Sequence, residues 1–123
     1  MKINCLIVDD EPLSQEVIAD FVKDCPELKL AGICNNALEA ANILQSQNID
    51  LIFLDIEMPE LNGMEAVKQI RRFNPDVYII AQTAYAQDDY KDTTLLAGCN
   101  EYIEKPVDRQ KLMKLILKGV SNN

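Results

Sequence analysis

The sequence contains no histidine. That absence excludes imidazole-activated nucleophiles, imidazole metal sites and phosphohistidine chemistry carried by this chain itself. Any metal bound here is expected to be a hard cation held by oxygen. Basic residues are few: 12 Lys and Arg stand against 20 Asp and Glu, a net charge of −8. Such a domain has no general attraction for nucleic acid or for an anionic membrane, so contact with neither is expected. No apolar run reaches the length of a bilayer span, and no apolar leader opens the chain. None of the four cysteines (Cys5, Cys25, Cys34 and Cys99) forms a C-x-x-C pair, which argues against a zinc site or a thioredoxin-like motif. Cys5 and Cys34 sit in apolar runs and read as buried thiols in a reducing, cytoplasmic setting. Internal repeats and low-complexity linkers are also missing. What is present is 123 residues that are 48% hydrophobic, enough for one domain, expected over residues 1–123, with a core of its own.

Apolar runs alternate with amphipathic stretches. Lys2 to Val8 is a β-rich run ending at Asp9, Asp10 and Glu11, and Pro12 suits the first turn of a helix. Leu13, Val17, Ile18, Phe21 and Val22 recur at helical spacing until Cys25-Pro26 stops them. Leu28 to Cys34 is a second strand. Asn36 is placed to cap a helix with Leu38, Ala41 and Leu44. Ile49 to Leu54 is almost unbroken hydrophobe, the pattern of a strand buried on both faces, and ends at Asp55. After a loop, Met64, Val67 and Ile70 mark a third helix, and Asn74-Pro75-Asp76 a turn. Val77 to Ala81 is a fourth strand, followed by Gln82 and Thr83. Gln87 to Ala97 predicts a weak helix with Gly98 as its C′ residue. Asn100 to Glu104 is a fifth strand, and Asp108 caps a last helix that Gly119 ends.

Five strand-then-helix units predict an α/β domain with a five-stranded parallel, doubly wound sheet of flavodoxin-like order 2-1-3-4-5 and helices on both faces. In such sheets ligands bind beyond the carboxyl ends of the strands, at the switch point between strands 1 and 3. Asp9 and Asp10, Asp55, Thr83 and Lys105 all fall at successive strand ends. Two like charges ~4 Å apart repel by roughly 4 kcal/mol at an effective dielectric of ~20, so three converging carboxylates retain a proton or gather a cation. Carboxylates and waters suit Mg²⁺. An acidic surface turn is the simpler reading of Asp9-Asp10-Glu11 alone, but not of the whole set. A carboxylate can attack phosphorus, and phosphoryl transfer needs mainly positioning and charge neutralisation. Asp55, on the central strand, is the best nucleophile. The Lys105 ammonium and the Thr83 hydroxyl would meet phosphoryl oxygens, and the small Ala84 leaves the nucleophile open.

The segments LIVDDEP (6–12), LIFLDIEMPELNGME (51–65), AQTAYA (81–86) and GCNEYIEKP (98–106) together resemble the response-regulator receiver domain of two-component signal transduction. The resemblance covers the whole chain, in order and at the family's spacing. It implies that Asp55 is the phosphoacceptor, that Asp9 and Asp10 bind Mg²⁺ with Asp10 the more direct ligand, and that the Glu57 backbone carbonyl completes the metal shell. It implies that Thr83 and Lys105 contact the phosphoryl group, that Tyr102 is an aromatic switch, and that Lys105-Pro106 is a cis peptide. Glu57 and Tyr85 match variable positions that tune the phosphoryl lifetime. The implied activity is not that of a conventional enzyme: the domain catalyses its own Mg-dependent phosphorylation and dephosphorylation and switches conformation to control an output partner. The implied donors are a sensor histidine kinase or a histidine phosphotransfer protein, meeting the first helix, where Ser14, Gln15 and Glu16 are readable either as contacts or as plain solvent residues.

The expected fourth and fifth helices form the family's dimer face. The lysine row Lys111, Lys114 and Lys118 is equally readable as a solvated surface. The first half resembles a stand-alone or DNA-binding regulator, the second half a hybrid-kinase receiver. No output segment is expected after residue 120. A haloacid-dehalogenase-type phosphohydrolase is the enzyme alternative, since Asp55-Ile56-Glu57 mimics its paired acids, but 123 residues leave no room for a cap and Asp9-Asp10 would go unexplained. A flavin-mononucleotide binder would be repelled by the acidic first loop, a GTPase lacks G-x-x-x-x-G-K-[ST], and a non-phosphorylating interaction module would not need the full set.

Overall fold

The computed structural model describes residues 2–56, 63–83 and 98–120. Its elements are β1 (Ile3–Val8), α1 (Pro12–Asp24), β2 (Leu28–Cys34), α2 (Ala37–Ser46), β3 (Leu51–Asp55), α3 (Gly63–Phe73), β4 (Tyr78–Thr83), β5 (Glu101–Glu104) and α4 (Arg109–Val120). The strands form one parallel sheet in the order β2-β1-β3-β4-β5, as the alternating pattern predicted. The predicted helix over Gln87–Ala97 lies outside the described residues, as do Glu57, Ala84 and Tyr85.

Alternation along each strand divides the core in two. Leu6, Val8, Ile52, Leu54, Ile79 and Ala81 pack against Ala37 and Ala40 of α2 and Ala66, Val67 and Ile70 of α3. Cys5, Ile7, Leu51, Phe53, Ile80 and Ile103 pack on the other face against Ile18, Phe21 and Val22 of α1 and Leu112 and Ile116 of α4. Every residue of β3 and β4 is buried, because helices cover both faces. Each large aliphatic or aromatic side chain so buried contributes roughly 1.5–3 kcal/mol.

Local chemistry sets the helix ends. Pro12 opens α1, and Cys25 N–H closes it on Val22 O at 3.1 Å ahead of Pro26. Asn36 Oδ1 accepts from Glu39 N–H at 2.9 Å, and Glu39 Oε2 accepts in return from Asn35 N–H at 2.6 Å. Asp108 Oδ1 accepts from Gln110 and Lys111 N–H at 2.9 and 3.3 Å, capping α4. Gly98 has φ 122°, and a Cβ there would lie 3.2 Å from Val67 and 3.3 Å from Arg71.

Several expectations shift. Gly119 does not end the last helix, which continues to Val120. A Cβ at Gly119 would lie 2.0 Å from the Tyr78 ring, so this glycine admits the tyrosine, whose hydroxyl donates to Leu115 O at 3.1 Å. Strands β3 and β4 begin later than expected, at Leu51 and Tyr78, but end at Asp55 and Thr83 as expected, and these polar residues pair in the ladder: Asp55 with Gln82, Thr83 with Glu104. Asn100 stands just before β5, its side-chain oxygen taking Ile79 N–H at 2.8 Å. Leu13, Val17 and Leu38, expected in the apolar stripes, are exposed at 70%, 50% and 69%, while small Ala37 and Ala40 pack beneath α2.

Candidate functional site

Strands β1 and β3 are neighbours, so the residues that follow or end them meet at one edge of the sheet. Asp9, one residue past β1, is pinned by its N–H to Cys34 O at 2.9 Å and is fully buried. Asp55 ends β3 and is 3% exposed, whereas Asp10 is exposed. One carboxylate oxygen from each of the three lies within 4.8 Å of the others. Gln15 from α1 donates to Asp9 O and, at 2.9 Å, to Asn35 Oδ1, tying the acidic loop to the turn after β2.

Burial is the main force on Asp9 and pushes its carboxyl up to about 7. Glu11 N–H, donating to Asp9 Oδ1 at 2.9 Å, works against that rise, and the Asp55 charge reinforces it. The second oxygen, Asp9 Oδ2, is buried with no hydrogen-bond partner among the described residues. Three convergent hard oxygen donors, one of them orphaned, fit a divalent cation: the cluster could hold a metal.

Lys105 reaches the cluster from the other side. Its Nζ lies 3.4 Å from Asp55 Oδ2 and donates to Ser14 Oγ at 3.4 Å. Its backbone N–H donates to Thr83 O at 2.7 Å, and the Lys105-Pro106 peptide is cis. Thr83 is 1% exposed at the end of β4. Tyr102, half-buried on β5, lies opposite Ala81 and packs on the α2–α3 side of the core. Thr83 is two residues beyond Ala81 and therefore shares that sheet face with Tyr102. The arrangement thus gathers Asp9, Asp10, Asp55 and Lys105, with Thr83 on the next strand. Glu57 is outside the described residues. Two residues gain a place that their sequence positions did not assign: Ser14 as a Lys105 acceptor, and Gln82, 1% exposed, which pairs with Asp55 across β3 and β4. The signal for Gln82 is a lone amide closing the run VYIIAQ ahead of Thr83.

The response regulator receiver domain model matches residues 5–117. The transcriptional regulatory protein BtsR of Escherichia coli (strain K12) is 33% identical over 118 residues, which cover 94% of this chain and 47% of BtsR. The chain spans about half the length of this and other bacterial regulators that it matches. The receiver domain of Ssk1 from Saccharomyces cerevisiae, solved with the histidine phosphotransfer protein Ypd1, superposes with a TM-score of 0.87 at 35% identity, over 98% of this chain and 90% of that one. The receiver domain of the sensor histidine kinase PA1611 from Pseudomonas aeruginosa PAO1, solved with a magnesium ion in its active site cleft, gives 0.85 at 28% identity, over 98% and 99%.

Proposed function

This chain belongs to the response regulator receiver domains, and on that premise we propose that Asp55 accepts a phosphoryl group from a histidine kinase or histidine phosphotransfer protein and so switches an output partner. The observation that carries this reading is the meeting of Asp9, Asp10, Asp55 and Lys105 at one sheet edge. An Asp55 carboxylate oxygen attacks phosphorus in line, the P–N bond of the donor breaks, and the imidazole leaves. The Lys105 ammonium, 3.4 Å from Asp55 Oδ2, offsets charge on the transferring oxygens. The Thr83 hydroxyl then bonds a phosphoryl oxygen, and Tyr102, on the same face, follows Thr83 inward.

Asp9 and Asp10, with Asp55 itself and the Glu57 carbonyl, are the residues we assign to Mg²⁺. Bound there, Mg²⁺ would supply positive charge that offsets the carboxylates and the phosphoryl oxygens. The co-crystallised Ypd1 of the Ssk1 receiver and the magnesium of the PA1611 receiver support these assignments by likeness. We take residues 1–123 as one receiver unit. Among the described residues no helix is long and apolar enough to cross a membrane, and four free thiols support a cytoplasmic setting. The α4 face, where Leu117 is 55% exposed beside the Lys118–Glu101 ion pair, is the surface we propose for the homodimer.

Incubation with Mg²⁺ and acetyl phosphate, followed by intact mass, tests the acceptor. One metal-dependent phosphoryl adduct is expected, and none in Asp55→Asn; an adduct that survives that substitution refutes the assignment. Tyr102→Ala is expected to phosphorylate normally while signal output falls.

A further inference from the structure

A buried donor or acceptor left without a partner costs about 1–3 kcal/mol, and such groups are rare. Two occur among the described residues, Asp9 Oδ2 and Gln82 Nε2. The first belongs to the candidate metal site. The second does not, and an aliphatic side chain would fill the same interior space without the cost. Gln82 lines a cavity of about 170 Å³ together with Ser14, Val17, Lys105, Pro106 and Val107. In that wall the one side-chain oxygen besides the carboxamide's own is Ser14 Oγ, and it is engaged by Lys105. Lys105 Nζ lies 3.4 Å from both Ser14 Oγ and Asp55 Oδ2. Both distances are long for a hydrogen bond from an ammonium, so the ammonium is shared between the two oxygens rather than committed to either.

We propose that Ser14 exchanges hydrogen-bond donors when Asp55 is phosphorylated: its hydroxyl oxygen holds Lys105 in the unphosphorylated domain and accepts from the Gln82 carboxamide once Lys105 turns to a phosphoryl oxygen. The inference rests on Asp55 being the phosphoacceptor. The new contact forms directly, since Ser14 and Gln82 line the same cavity. Gln82 is then a positioning residue. The resting domain carries its unmet donor and the phosphorylated domain satisfies it, so the exchange favours the phosphorylated state. Its place opposite Asp55 in the ladder, with Gln82 O accepting Ile56 N–H at 3.2 Å, keeps the carboxamide beside the acceptor strand while Lys105 moves.

Beryllium trifluoride with Mg²⁺ serves as a stable phosphoryl mimic on the intact chain, and its affinity is measured by titration calorimetry. Gln82→Leu is expected to weaken binding about three- to tenfold, the worth of one net hydrogen bond. In a Ser14→Ala background the same change is expected to cost less than about twofold, because the shared acceptor is already gone. The Gln82 side-chain N–H₂ resonances of the wild-type chain should move downfield and exchange more slowly when the mimic binds. Equal affinity of Gln82→Leu and wild type, or an undiminished loss in the Ser14→Ala background, overturns the exchange. If Gln82→Leu fails to fold, the wild-type amide resonances decide: unmoved signals overturn it. Wild-type chain that binds no mimic, or binding that persists in Asp55→Asn, overturns the acceptor assignment and the exchange with it.

Discussion

At the amino-terminal ends of β4 and β5 the Arg71 guanidinium is fully engaged. It donates to Gly98 O from Nε and Nη2 at 3.0 and 2.8 Å, to Asn100 Oδ1 at 2.7 Å, and to Val77, Pro75 and Asn74 O at 2.5, 3.2 and 3.4 Å. At the carboxyl ends of the same sheet Asp9 Oδ2 and Gln82 Nε2 are buried and unpartnered, and three carboxylates crowd within 4.8 Å. One end spends its polar groups on joining α3, β4 and the approach to β5. The other leaves two buried atoms without a partner among the described residues. A ligand can profit only from groups that the fold has left unmet, so the unmet end is the one that can bind and switch.

The sharpest way to break that comparison is to remove the satisfied hub. Arg71→Ala strands several carbonyls at once and is expected to cost about 3 kcal/mol or more. Urea unfolding would read this as a lower midpoint at unchanged slope. Arg71→Lys should recover only part of it, since an ammonium cannot reproduce the planar fork that reaches Gly98 O and Val77 O together. Loss of phosphorylation without loss of stability would mean that the two ends are not the separate regions described above. Gly119→Ala strikes the same end by packing rather than polarity. Its new methyl would stand 2.0 Å from the Tyr78 ring, so helix or ring must shift, at a cost of roughly 1–3 kcal/mol. A melting temperature equal to wild type would show that the last turn of α4 yields freely.

The satisfied end was the less legible in the sequence. Asp9, Asp10, Asp55 and Lys105 are legible because each ends or follows an expected strand and the strand order dictates which strands are neighbours. Arg71 could not, because its partners are mostly main-chain carbonyls, which carry no residue signature. Gly119 suggests a stop because glycine commonly follows a helix; only the tertiary approach of Tyr78 explains it. Leu13 and Val17 fit the helical period yet are exposed, Val17 in the wall of the cavity at Lys105, because periodicity alone cannot tell core from surface.

A smaller effect tests the unmet end. Asp9 has its folded pKa raised from 3.8 to about 7 by burial. Below the unfolded value both states are protonated and the group contributes nothing. Between about pH 4 and 7 the folded state keeps a proton that the unfolded state has lost, so stability falls as pH rises, then levels off. In EDTA, Asp9→Asn is therefore expected to be more stable than the parent above pH 7, by on the order of 1–2 kcal/mol, and nearly flat over the same range. With Mg²⁺ added the order should reverse, since the parent gains from the cation and the variant loses a ligand. A parent whose stability is indifferent to Mg²⁺ at pH 8 would argue that its orphaned oxygen has no cation to serve.

The smallest effect concerns the thiols, which sample both ends and the core without belonging to either polar network. Cys5 and Cys99 are pushed up to about 12 and Cys34 to about 11, in each case chiefly by burial. Cys99 resists ionisation although the Arg71 guanidinium beside it pulls the other way, so desolvation outweighs a neighbouring charge whose hydrogen bonds are already engaged elsewhere. Cys25, half-buried at the end of α1, is also raised, by burial and then by Glu27 and Asp24, but it alone among the four is open to solvent. Iodoacetamide at pH 8 should therefore label the native chain once, at Cys25, leaving phosphorylation of Asp55 and the unfolding midpoint almost unchanged. Equal early labelling of Cys99 would show that the region around Arg71 opens readily, and the contrast between a closed, satisfied end and an unmet, responsive one would have to be redrawn.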